Sequence, residues 1–267
     1  MSDWNLCASV DGRPCDCPDD VFEADRAGLD CSYRDIGYLH GEPYLNHLYG
    51  AVVPLRFKKV DLSNNRLRNF TATTFSSNNS HVTELDMAAN LLSVIPPNAF
   101  VNLPGLLKLD LSNNEIQIIT NDSFNGIANL SSLDLSHNKL HVFEANTFML
   151  LPRLQRLQLN LEELSLAFNE LGSVPTKALF KLSPSLKVLD LSGNLFTAFS
   201  SSSENKEVRI PLQDLKLSYT RLETLPEGLL NWTLVKSLEL SHNQWRCDCH
   251  MAWIKGSPVE KLVGENF

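Results

Sequence analysis

An eleven-position frame of apolar residues and asparagine recurs along the chain and constrains its fold more than any other feature. The frame reads L-x-x-L-x-L-x-x-N-x-L, and its first four copies start 25, 24 and 24 residues apart. The eight copies are FKKVDLSNNRL from Phe57, VTELDMAANLL from Val82, LLKLDLSNNEI from Leu106, LSSLDLSHNKL from Leu130, LEELSLAFNEL from Leu161, LKVLDLSGNLF from Leu186, LQDLKLSYTRL from Leu212 and VKSLELSHNQW from Val235. Because one such unit cannot bury its apolar face alone, the repeat predicts a solenoid of stacked coils.

Each position of the frame predicts a place in the coil. The alternating apolar positions predict a short strand with inward side chains, while the positions between them face the concave surface. The asparagine comes where the chain leaves the strand, and a buried amide there can satisfy backbone groups that have lost their partners. Seven repeats carry it, at Asn65, Asn90, Asn114, Asn138, Asn169, Asn194 and Asn243. Thr220 replaces it in the remaining repeat, where we expect a weaker turn.

Phenylalanine recurs with the same period on the return side of the coil. The residues are Phe75, Phe100, Phe124 and Phe148. We expect their rings to stack as an aromatic spine under the convex side, as part of the core.

Two intervals in the array are irregular. Only seven residues separate Leu154 from Leu161, where the period requires about 24. Seven residues extend over at most about 23 Å, which is enough for a strand but not for a coil. Either residues 154–159 leave the sheet and join an enlarged return arm, which we favour, or the two halves of the array stack badly. Four serines, Ser200 to Ser203, followed by ENKEVR predict a solvated bulge on the convex side.

The frame is that of the leucine-rich repeat, and with cysteines near both ends the chain resembles extracellular leucine-rich repeat receptors and adhesion proteins. That group includes Toll-like ectodomains, Slit-type guidance proteins and matrix proteoglycan cores. The resemblance implies an α/β-type repeat solenoid, a horseshoe with a parallel β-sheet on the concave face and irregular or short helical segments on the convex face. It also implies a cysteine-rich N-terminal cap over residues 1–56, a repeat array over 57–245 and an incomplete C-terminal cap over 246–267.

The N-terminal cap is expected to be held by disulfide bonds. Its cysteines are Cys7, Cys15, Cys17 and Cys31. Four cysteines allow three pairings, and the resemblance implies Cys7 with Cys17 and Cys15 with Cys31. Zinc is the competing interpretation of four thiols, but a C-x-C pair lacks the two-residue gap that is common in zinc sites. We therefore expect no metal there.

The C-terminal segment NQWRCDCHMAW, from Asn243, resembles the C-terminal flank of the same extracellular proteins. That flank normally contains two further cysteines that pair with the C-x-C cysteines, here Cys247 and Cys249. The sequence has no cysteine after Cys249. We therefore expect the tail GSPVEKLVGENF to have little to pack against.

Sequence signals for the cellular compartment point in different directions. The chain starts without a basic and apolar leader and contains no run of about 18 apolar residues. It nevertheless carries five N-glycosylation sequons, which have meaning only in a secretory compartment, at Asn69, Asn78, Asn121, Asn129 and Asn231. We expect an extracellular or cell-surface protein whose signal peptide and any membrane anchor lie outside this sequence. A cytosolic protein is the alternative, and direct membrane insertion of this chain is not expected.

Charge and motifs exclude several classes of function. The formal net charge of −8 disfavours a general electrostatic grip on nucleic acid or on an anionic membrane. The sequence has no G-x-S-x-G, no H-E-x-x-H and no phosphate-cradling glycine loop. A flat concave face also lacks the dry pocket that acid–base chemistry needs. We therefore expect no catalysis, no cofactor and no bound metal.

The outward position between the strand leucines is acidic in four consecutive repeats. Asp61, Asp86, Asp110 and Asp134 are expected to stack at intervals of about 5 Å, and their mutual repulsion would favour a basic partner. Leu-Asp-Leu-Ser is also common wording for this repeat, so a purely structural origin stays open. The candidate ligand-binding residues are Lys59, Asp61, Glu84, Asp86, Lys108, Asp110, Asp134, His137, Glu163 and Phe168.

The resemblance and these residues together predict a non-catalytic extracellular module that recognises a protein ligand through its concave surface, as part of a cell-surface receptor or adhesion protein. One alternative is a secreted structural component of the extracellular matrix that associates with itself. Another is a truncated splice or gene-model variant with impaired binding.

Overall fold

One parallel sheet runs through the described part of the structure, a computed structural model that describes residues 28–33, 58–70, 74–75, 81–143, 161–173, 185–199, 211–246 and 249–263. Its strands, in spatial order, are β1 (Gly28–Asp30), β2 (Lys59–Asp61), β3 (Glu84–Asp86), β4 (Lys108–Asp110), β6 (Ser132–Asp134), β8 (Glu163–Ser165), β9 (Val188–Asp190), β10 (Asp214–Lys216) and β11 (Ser237–Glu239). The two-residue strands β5 (Ile118–Ile119) and β7 (Val142–Phe143) pair separately. The predicted solenoid with a parallel concave sheet is confirmed.

Each strand of the large sheet buries its middle side chain and turns the two flanking ones outward. In β3, Leu85 is buried between Glu84 and Asp86, and Met87 directly after the strand returns to the core. This alternation follows from the two-residue period of a strand. The apolar positions of the frame therefore form one continuous core behind the sheet.

The predicted asparagine ladder is present and joins each coil to the preceding one. The Asn114 amide nitrogen donates to the carbonyl oxygens of Met87, Leu111 and Ser112, at 3.0, 3.1 and 3.1 Å. Its amide oxygen accepts from the Leu92 N–H at 3.0 Å. Equivalent donor bonds come from Asn65, Asn90, Asn138, Asn169, Asn194 and Asn243. These amides satisfy backbone groups that the strands leave behind.

Thr220 interrupts this ladder, as predicted. Its hydroxyl donates to Leu217 O at 3.1 Å within its own coil and contacts the amide oxygen of Asn243 in the next coil. Among the described residues it makes no hydrogen bond to the preceding coil, because a single hydroxyl hydrogen cannot replace the two of an amide.

The sheet is continuous across the irregular part of the array, where Leu154 and Leu161 are only seven positions apart. Strand β6 pairs directly with β8, with Leu133 opposite Leu164. Asn169 completes the ladder there: its amide oxygen accepts from Leu140 N at 3.0 Å, and its nitrogen donates to Leu135 O at 3.0 Å. This is the arrangement expected if residues 154–159 leave the sheet, whereas the alternative of badly stacked halves is wrong. Residues 154–160 and Ser200–Ser203 themselves lie outside the described residues.

Phenylalanine rings stack behind the first repeats. The Phe100 ring centroid lies 6.3 Å from that of Phe75 and 6.4 Å from that of Phe124. Phe70, which the sequence pattern did not single out, joins them 5.5 Å from Phe100. The predicted spine is confirmed for these three positions, while Phe148 lies outside the described residues.

Short helices close the C-terminal end of the core. They are the 3-10 helices Glu227–Leu229, Trp232–Leu234 and Cys249–Ile254 and the α-helical turn Glu260–Val263. Trp253 donates to Leu225 O at 2.9 Å, and its ring centroid lies 5.4 Å from that of Trp232. Val259 and Val263 are buried, because residues four apart share one face of a helical turn. The expectation that the tail has little to pack against is therefore wrong for its described residues.

Candidate functional site

The concave surface presents an uninterrupted row of five aspartates over its first five strands. The residues of this aspartate row stand opposite one another in register: Asp30, Asp61, Asp86, Asp110 and Asp134. Neighbouring strands lie about 4.8 Å apart, so each carboxylate has an acidic neighbour at close range. The row is one residue longer than the sequence frame predicted, because β1 lies within the segment expected to be a cap.

Asp30 was missed although the sequence contains a signal for it. The segment Leu29-Asp30-Cys31-Ser32 matches the Leu-Asp-Leu-Ser wording of the repeats, with cysteine in place of the second leucine. Cys31 occupies that leucine site: it is 1% exposed, and its N–H donates to Asp61 O at 2.7 Å. A free or bonded cysteine buries like a small apolar residue, so the frame extends into the cap.

Each aspartate of the row also performs a structural task. One carboxylate oxygen accepts the backbone N–H two residues later, at 2.8 to 2.9 Å. This turn-forming bond is typical of aspartate and explains why the residue recurs at the last position of the strand. For Asp61, Asp86, Asp110 and Asp134 it is the only hydrogen bond that the side chain makes within the described ranges. The second oxygen of each of these four carboxylates thus stays available to a partner.

Electrostatic repulsion is evident at the centre of the row. Burial raises the pKa of Asp86 above its ordinary value of 3.8, and the carboxylates of Asp110 and Asp61 raise it further. The Ala88 N–H and the Lys59 ammonium act in the opposite direction and only partly offset this. A positive charge brought to this position by a partner would relieve the repulsion.

Lysines at the first position of two strands, β2 and β4, weaken the negative electrostatic potential of the aspartate row. Lys59 and Lys108 flank Glu84 on the same face, and the Lys108 ammonium lies 3.5 Å from the Glu84 carboxylate. Glu163 on β8 accepts a hydrogen bond from the Ser132 hydroxyl at 3.3 Å. Because these side chains are exposed and in part paired, they offset the row without neutralising it.

The last four strands carry a mixed row at the same position. Its residues are Ser165, Asp190, Lys216 and Glu239. The Lys216 ammonium lies 3.2 Å from the Glu239 carboxylate. The hydrogen bond to Glu239 and its charge raise the pKa of Lys216 above its ordinary value, with smaller contributions from Asp190 and Asp214. Neighbouring opposite charges in the mixed row attract each other, whereas neighbouring carboxylates in the aspartate row repel each other.

Residues in the left-handed backbone conformation follow the C-terminal ends of the strands and together form a rim along that side of the sheet. We call this the turn rim; its members, each three residues after the outward strand position, are Tyr33, Asn64, Ala89, Asn113, His137, Phe168, Gly193, Tyr219 and His242. The His137 and Phe168 ring centroids are 4.6 Å apart with planes 8° from parallel. Tyr219 and His242 stack at 4.1 Å and 12°. One stacked pair thus lies on the rim where the two halves meet, and the other lies on the rim of the last two strands.

Comparison with known proteins agrees with this geometry. Residues 56–116 and 105–160 match the leucine rich repeat family. The chain contains leucine-rich repeats. It is similar to TLR13 in the crystal structure of the TLR13–ssRNA13 complex, with a TM-score of 0.64 and 24% identity over 85% of this chain and 28% of the TLR13 chain. It therefore spans less than a third of TLR13.

A second solved structure matches over most of both chains. Human 5T4, also named Wnt-activated inhibitory factor 1 and trophoblast glycoprotein, is similar with a TM-score of 0.68 and 25% identity, over 91% of this chain and 86% of the 5T4 chain. No curated protein matches this leucine-rich repeat chain in sequence.

The candidate residues predicted from sequence fall on two surfaces. Those on the concave strands are Lys59, Asp61, Glu84, Asp86, Lys108, Asp110, Asp134 and Glu163. His137 and Phe168 stand on the turn rim instead, directly stacked on each other. Tyr219 and His242 were not predicted, although the position before the ladder residue is readable in the frame.

The predicted modification sites lie away from the concave strands where the structure describes them. Asn69, Asn129 and Asn231 are exposed and Asn121 is half-buried, and none of these four belongs to a strand of the sheet. Asn78 lies outside the described residues. Glycans at the four positions would leave the aspartate row uncovered.

Cys31 is disulfide-bonded. The other cysteines of the predicted N-terminal pairs, Cys7, Cys15 and Cys17, lie outside the described residues, so the pairing stays a prediction.

The described ranges contain neither a candidate metal site nor a candidate membrane span. In these ranges no three histidine, cysteine, aspartate or glutamate side chains come together as a group that could hold a metal ion. No helix in the described part of the chain has the length and apolarity to cross a membrane.

Proposed function

We propose that this leucine-rich repeat chain is a non-catalytic extracellular module that recognises a basic protein partner on its concave face. The aspartate row carries the proposal. Five carboxylates stand in register on neighbouring strands, and the pKa of the central one is raised by burial and by its acidic neighbours. A basic partner would convert this repulsion into attraction and would be steered toward the face.

The sign of the surface favours protein over nucleic acid as the partner. TLR13 forms a complex with ssRNA13 on a related fold, but phosphates would be repelled by the aspartate row of this chain. The candidate ligand-binding set therefore centres on Asp61, Asp86, Asp110 and Asp134, with Lys59 and Lys108 setting the register of an oppositely patterned partner.

Two observations support an extracellular setting. Cys31 is disulfide-bonded, and such bonds persist in oxidising compartments. Three of the described sequon asparagines are exposed, and none lies on the concave strands. In this proposal residues 1–56 and 246–267 are the terminal caps of the array over 57–245, and the protein belongs to a cell-surface receptor or adhesion system.

A basic partner is favoured over a second copy of this chain. Two copies associating through their concave faces would oppose one aspartate row with another, and like charges brought together cost free energy. A structural matrix role through self-association of this face is therefore the weaker candidate.

The test is an unbiased binding screen of the chain against extracellular proteins, followed by neutralisation of the row. Asparagine is the right replacement, because its amide oxygen can still accept the backbone N–H that each aspartate binds. The changes at positions 61 and 110 create Asn-Leu-Ser sequons, so all variants and the unmodified chain are produced in bacteria, without N-glycosylation. We expect the triple variant Asp61→Asn, Asp86→Asn, Asp110→Asn to weaken binding of the partner about ten-fold, and added salt to weaken the unmodified chain in the same way.

A matched control removes the same charge elsewhere. Asp122→Asn, Glu170→Gln and Glu227→Gln neutralise three exposed carboxylates outside the concave strands. Affinity should be retained in this control. If a partner binds both triple variants with equal affinity, the aspartate row is not its binding site. If the contact surface of the partner is acidic, the proposal of a basic partner is wrong.

A further inference from the structure

We propose that Asn125 is a modification site, at which the folded chain deamidates spontaneously to isoaspartate through attack by the backbone nitrogen of Gly126. The pair is the only asparagine followed by glycine in the sequence. It lies in the return arm of the coil that begins with β4, outside the strands that carry the aspartate row. This inference goes beyond the proposed function and does not depend on it, because the reaction needs water and no partner.

The chemistry requires only these two residues and water. The Gly126 nitrogen attacks Cγ of Asn125, a C–N bond forms, and the side-chain amide nitrogen leaves as ammonia with the proton of the Gly126 N–H. Water then opens the resulting succinimide ring at either carbonyl, which gives aspartate or isoaspartate. Glycine after the asparagine favours ring closure, because it has no Cβ atom to hinder the approach and its backbone turns freely.

The attacking nitrogen is accessible in the folded chain. Gly126 is exposed, and within the described part of the protein its N–H makes no hydrogen bond. Residues 121–126 form turns rather than a regular helix, and the bond from the Asn125 N–H to Asp122 O is long, at 3.4 Å. Because few backbone bonds hold this segment, it can reorient locally for ring closure without unfolding of the array.

A carboxylate stands beside the group that leaves. The Asn125 amide nitrogen donates to Asp122 Oδ1 at 3.0 Å and to Asn98 Oδ1 at 2.9 Å. The Asp122 carboxylate is therefore placed to accept the proton of the Gly126 N–H and to pass it to the departing ammonia. Proton transfer by a positioned side chain accelerates such a step.

Packing between two coils requires both residues of the reactive pair. Gly126 has a φ of +94°, and a Cβ atom there would stand 2.4 Å from Cα of Val101 in the preceding coil. Any other residue at this position would clash with that backbone and strain its own. The Asn125 amide in turn joins Asn98 of the preceding coil to Asp122. The fold thus keeps a reactive pair in place.

The product should loosen the contact between these coils. Isoaspartate has no amide hydrogen to donate to Asn98 or Asp122, and it brings a second carboxylate toward that of Asp122. It also adds one methylene to the main chain directly before Gly126, which lies tightly against the Val101 backbone. Lost hydrogen bonds, like charges and a displaced backbone all lower the stability of the return arm.

The experiment incubates the whole chain, produced without N-glycosylation, at neutral pH and body temperature. Tandem mass spectrometry locates each asparagine that has exchanged NH for oxygen, and methylation by an isoaspartyl methyltransferase identifies isoaspartate. The product should accumulate at Asn125 about ten-fold faster than at Asn113, an exposed asparagine that is followed by Asn114. Equal rates at the two positions, or no reaction at Asn125 in the folded chain, overturn the proposal. Asn125→Gln is the control, because the longer side chain closes this ring poorly.

Removal of the neighbouring carboxylate tests the part that the fold plays. Asp122→Ala keeps the backbone oxygen that accepts the Asn98 and Asn125 N–H groups, and it should slow deamidation of the folded chain about ten-fold. In concentrated urea the same variant should react like the unmodified chain, because the carboxylate is no longer held beside the amide. An equal or faster reaction of folded Asp122→Ala would contradict the role given to this carboxylate.

Thermal unfolding measures the consequence for the coil. The isoaspartate form, separated by ion exchange from the unmodified chain, should melt about 3 °C lower. Asn125→Asp carries the same charge without the extra methylene and should lose less. An unchanged melting temperature of the isoaspartate form would overturn the inference that the return arm depends on Asn125.

Discussion

The first five strands of the sheet, β1 to β6 without the short β5, and the last four, β8 to β11, share one backbone and differ in the surface that they present. The first part carries the aspartate row, and three of its rim residues are the small Asn64, Ala89 and Asn113. The second part carries the mixed row and a rim with the stacked pair of Tyr219 and His242, while Phe168 stacks across the boundary on His137 of the first part. The ladder asparagines occur in both parts and are interrupted at Thr220 in the second.

This difference shows that the scaffold and the surface of a repeat are set by separate positions of the frame. The buried positions repeat closely because every coil must pack on its neighbours, while the outward and rim positions are free to differ. The first half therefore presents a row of like charges, and the second half presents paired opposite charges and stacked rings.

The largest effect is expected from breaking the asparagine ladder in the first part of the sheet. Asn114→Ala should lower the free energy of unfolding by about 3 kcal/mol, because it leaves the buried Leu92 N–H without a partner and removes the bond from this amide to Met87 O, which keeps only its bond from Asn90. Thr220→Ala should cost only about 1 kcal/mol, since Thr220 does not bond to the preceding coil. Urea unfolding followed by circular dichroism measures both, and equal losses would contradict the asymmetry.

The next effect concerns the glycine of the rim. Gly193→Ala should destabilise by about 1 to 2 kcal/mol, because residue 193 has a φ of +67° and the new Cβ would meet the Phe168 ring. Adding Phe168→Ala should recover part of this loss, since it removes the clash and leaves only the backbone cost. Thermal unfolding of the single and double variants decides; purely additive losses would show that the ring does not depend on Gly193.

A smaller effect is expected from neutralising one aspartate in the aspartate row and one in the mixed row. Asp86→Asn should stabilise the chain by roughly 0.5 kcal/mol at neutral pH, since it removes repulsion from Asp61 and Asp110 but can still accept the Ala88 N–H. Because the pKa of Asp86 is raised in the folded state, ionisation of this carboxyl group lowers the free energy of unfolding. The penalty is complete above the folded pKa and vanishes below the unfolded value near 3.8, so the gain should disappear as the pH falls through this window.

Asp190→Asn is the control for that comparison. Both variants are produced without N-glycosylation, because the change at position 190 creates an Asn-Leu-Ser sequon. Asp190 stands between Ser165 and Lys216, so its neutralisation removes attraction and should bring no gain at any pH. Chemical unfolding at pH 7 and pH 3 measures both variants. A stabilisation of the same size in Asp190→Asn would contradict the assignment of repulsion to the aspartate row.

The smallest effect lies in the mixed row. Glu239→Gln should cost a few tenths of a kcal/mol, as is usual for exposed ion pairs. Because the folded pKa of Lys216 is raised, its contribution is present below the unfolded value near 10.5 and is lost as the pH rises through the folded pKa. The difference between Glu239→Gln and the unmodified chain should therefore shrink above pH 10.5. A difference that persists at higher pH would exclude the Lys216 pair as its source.

Sequence periodicity was sufficient for the core, the ladder and most of the concave face. The asparagines, the phenylalanine spine and the row from Asp61 to Asp134 follow from the frame because each repeat must supply the same contacts to its neighbours. The frame also contained Asp30 in the wording Leu29-Asp30-Cys31-Ser32, but a cysteine at the leucine position concealed it. The tail was misjudged because the burial of Val259 and Val263 depends on the end of the core rather than on any local pattern.

The sequence by itself determined which residues are buried, which bond in the turns and which carry charge, because strand alternation and the repeat period are local rules. Only the tertiary structure decided that β6 pairs directly with β8, so that His137 and Phe168, which are 31 positions apart, stack on one rim. It likewise decided that the Phe168 ring packs over Gly193, in the space that a side chain at position 193 would take. Both depend on the order in which coils stack, and stacking order is a property of long-range packing that no single repeat encodes.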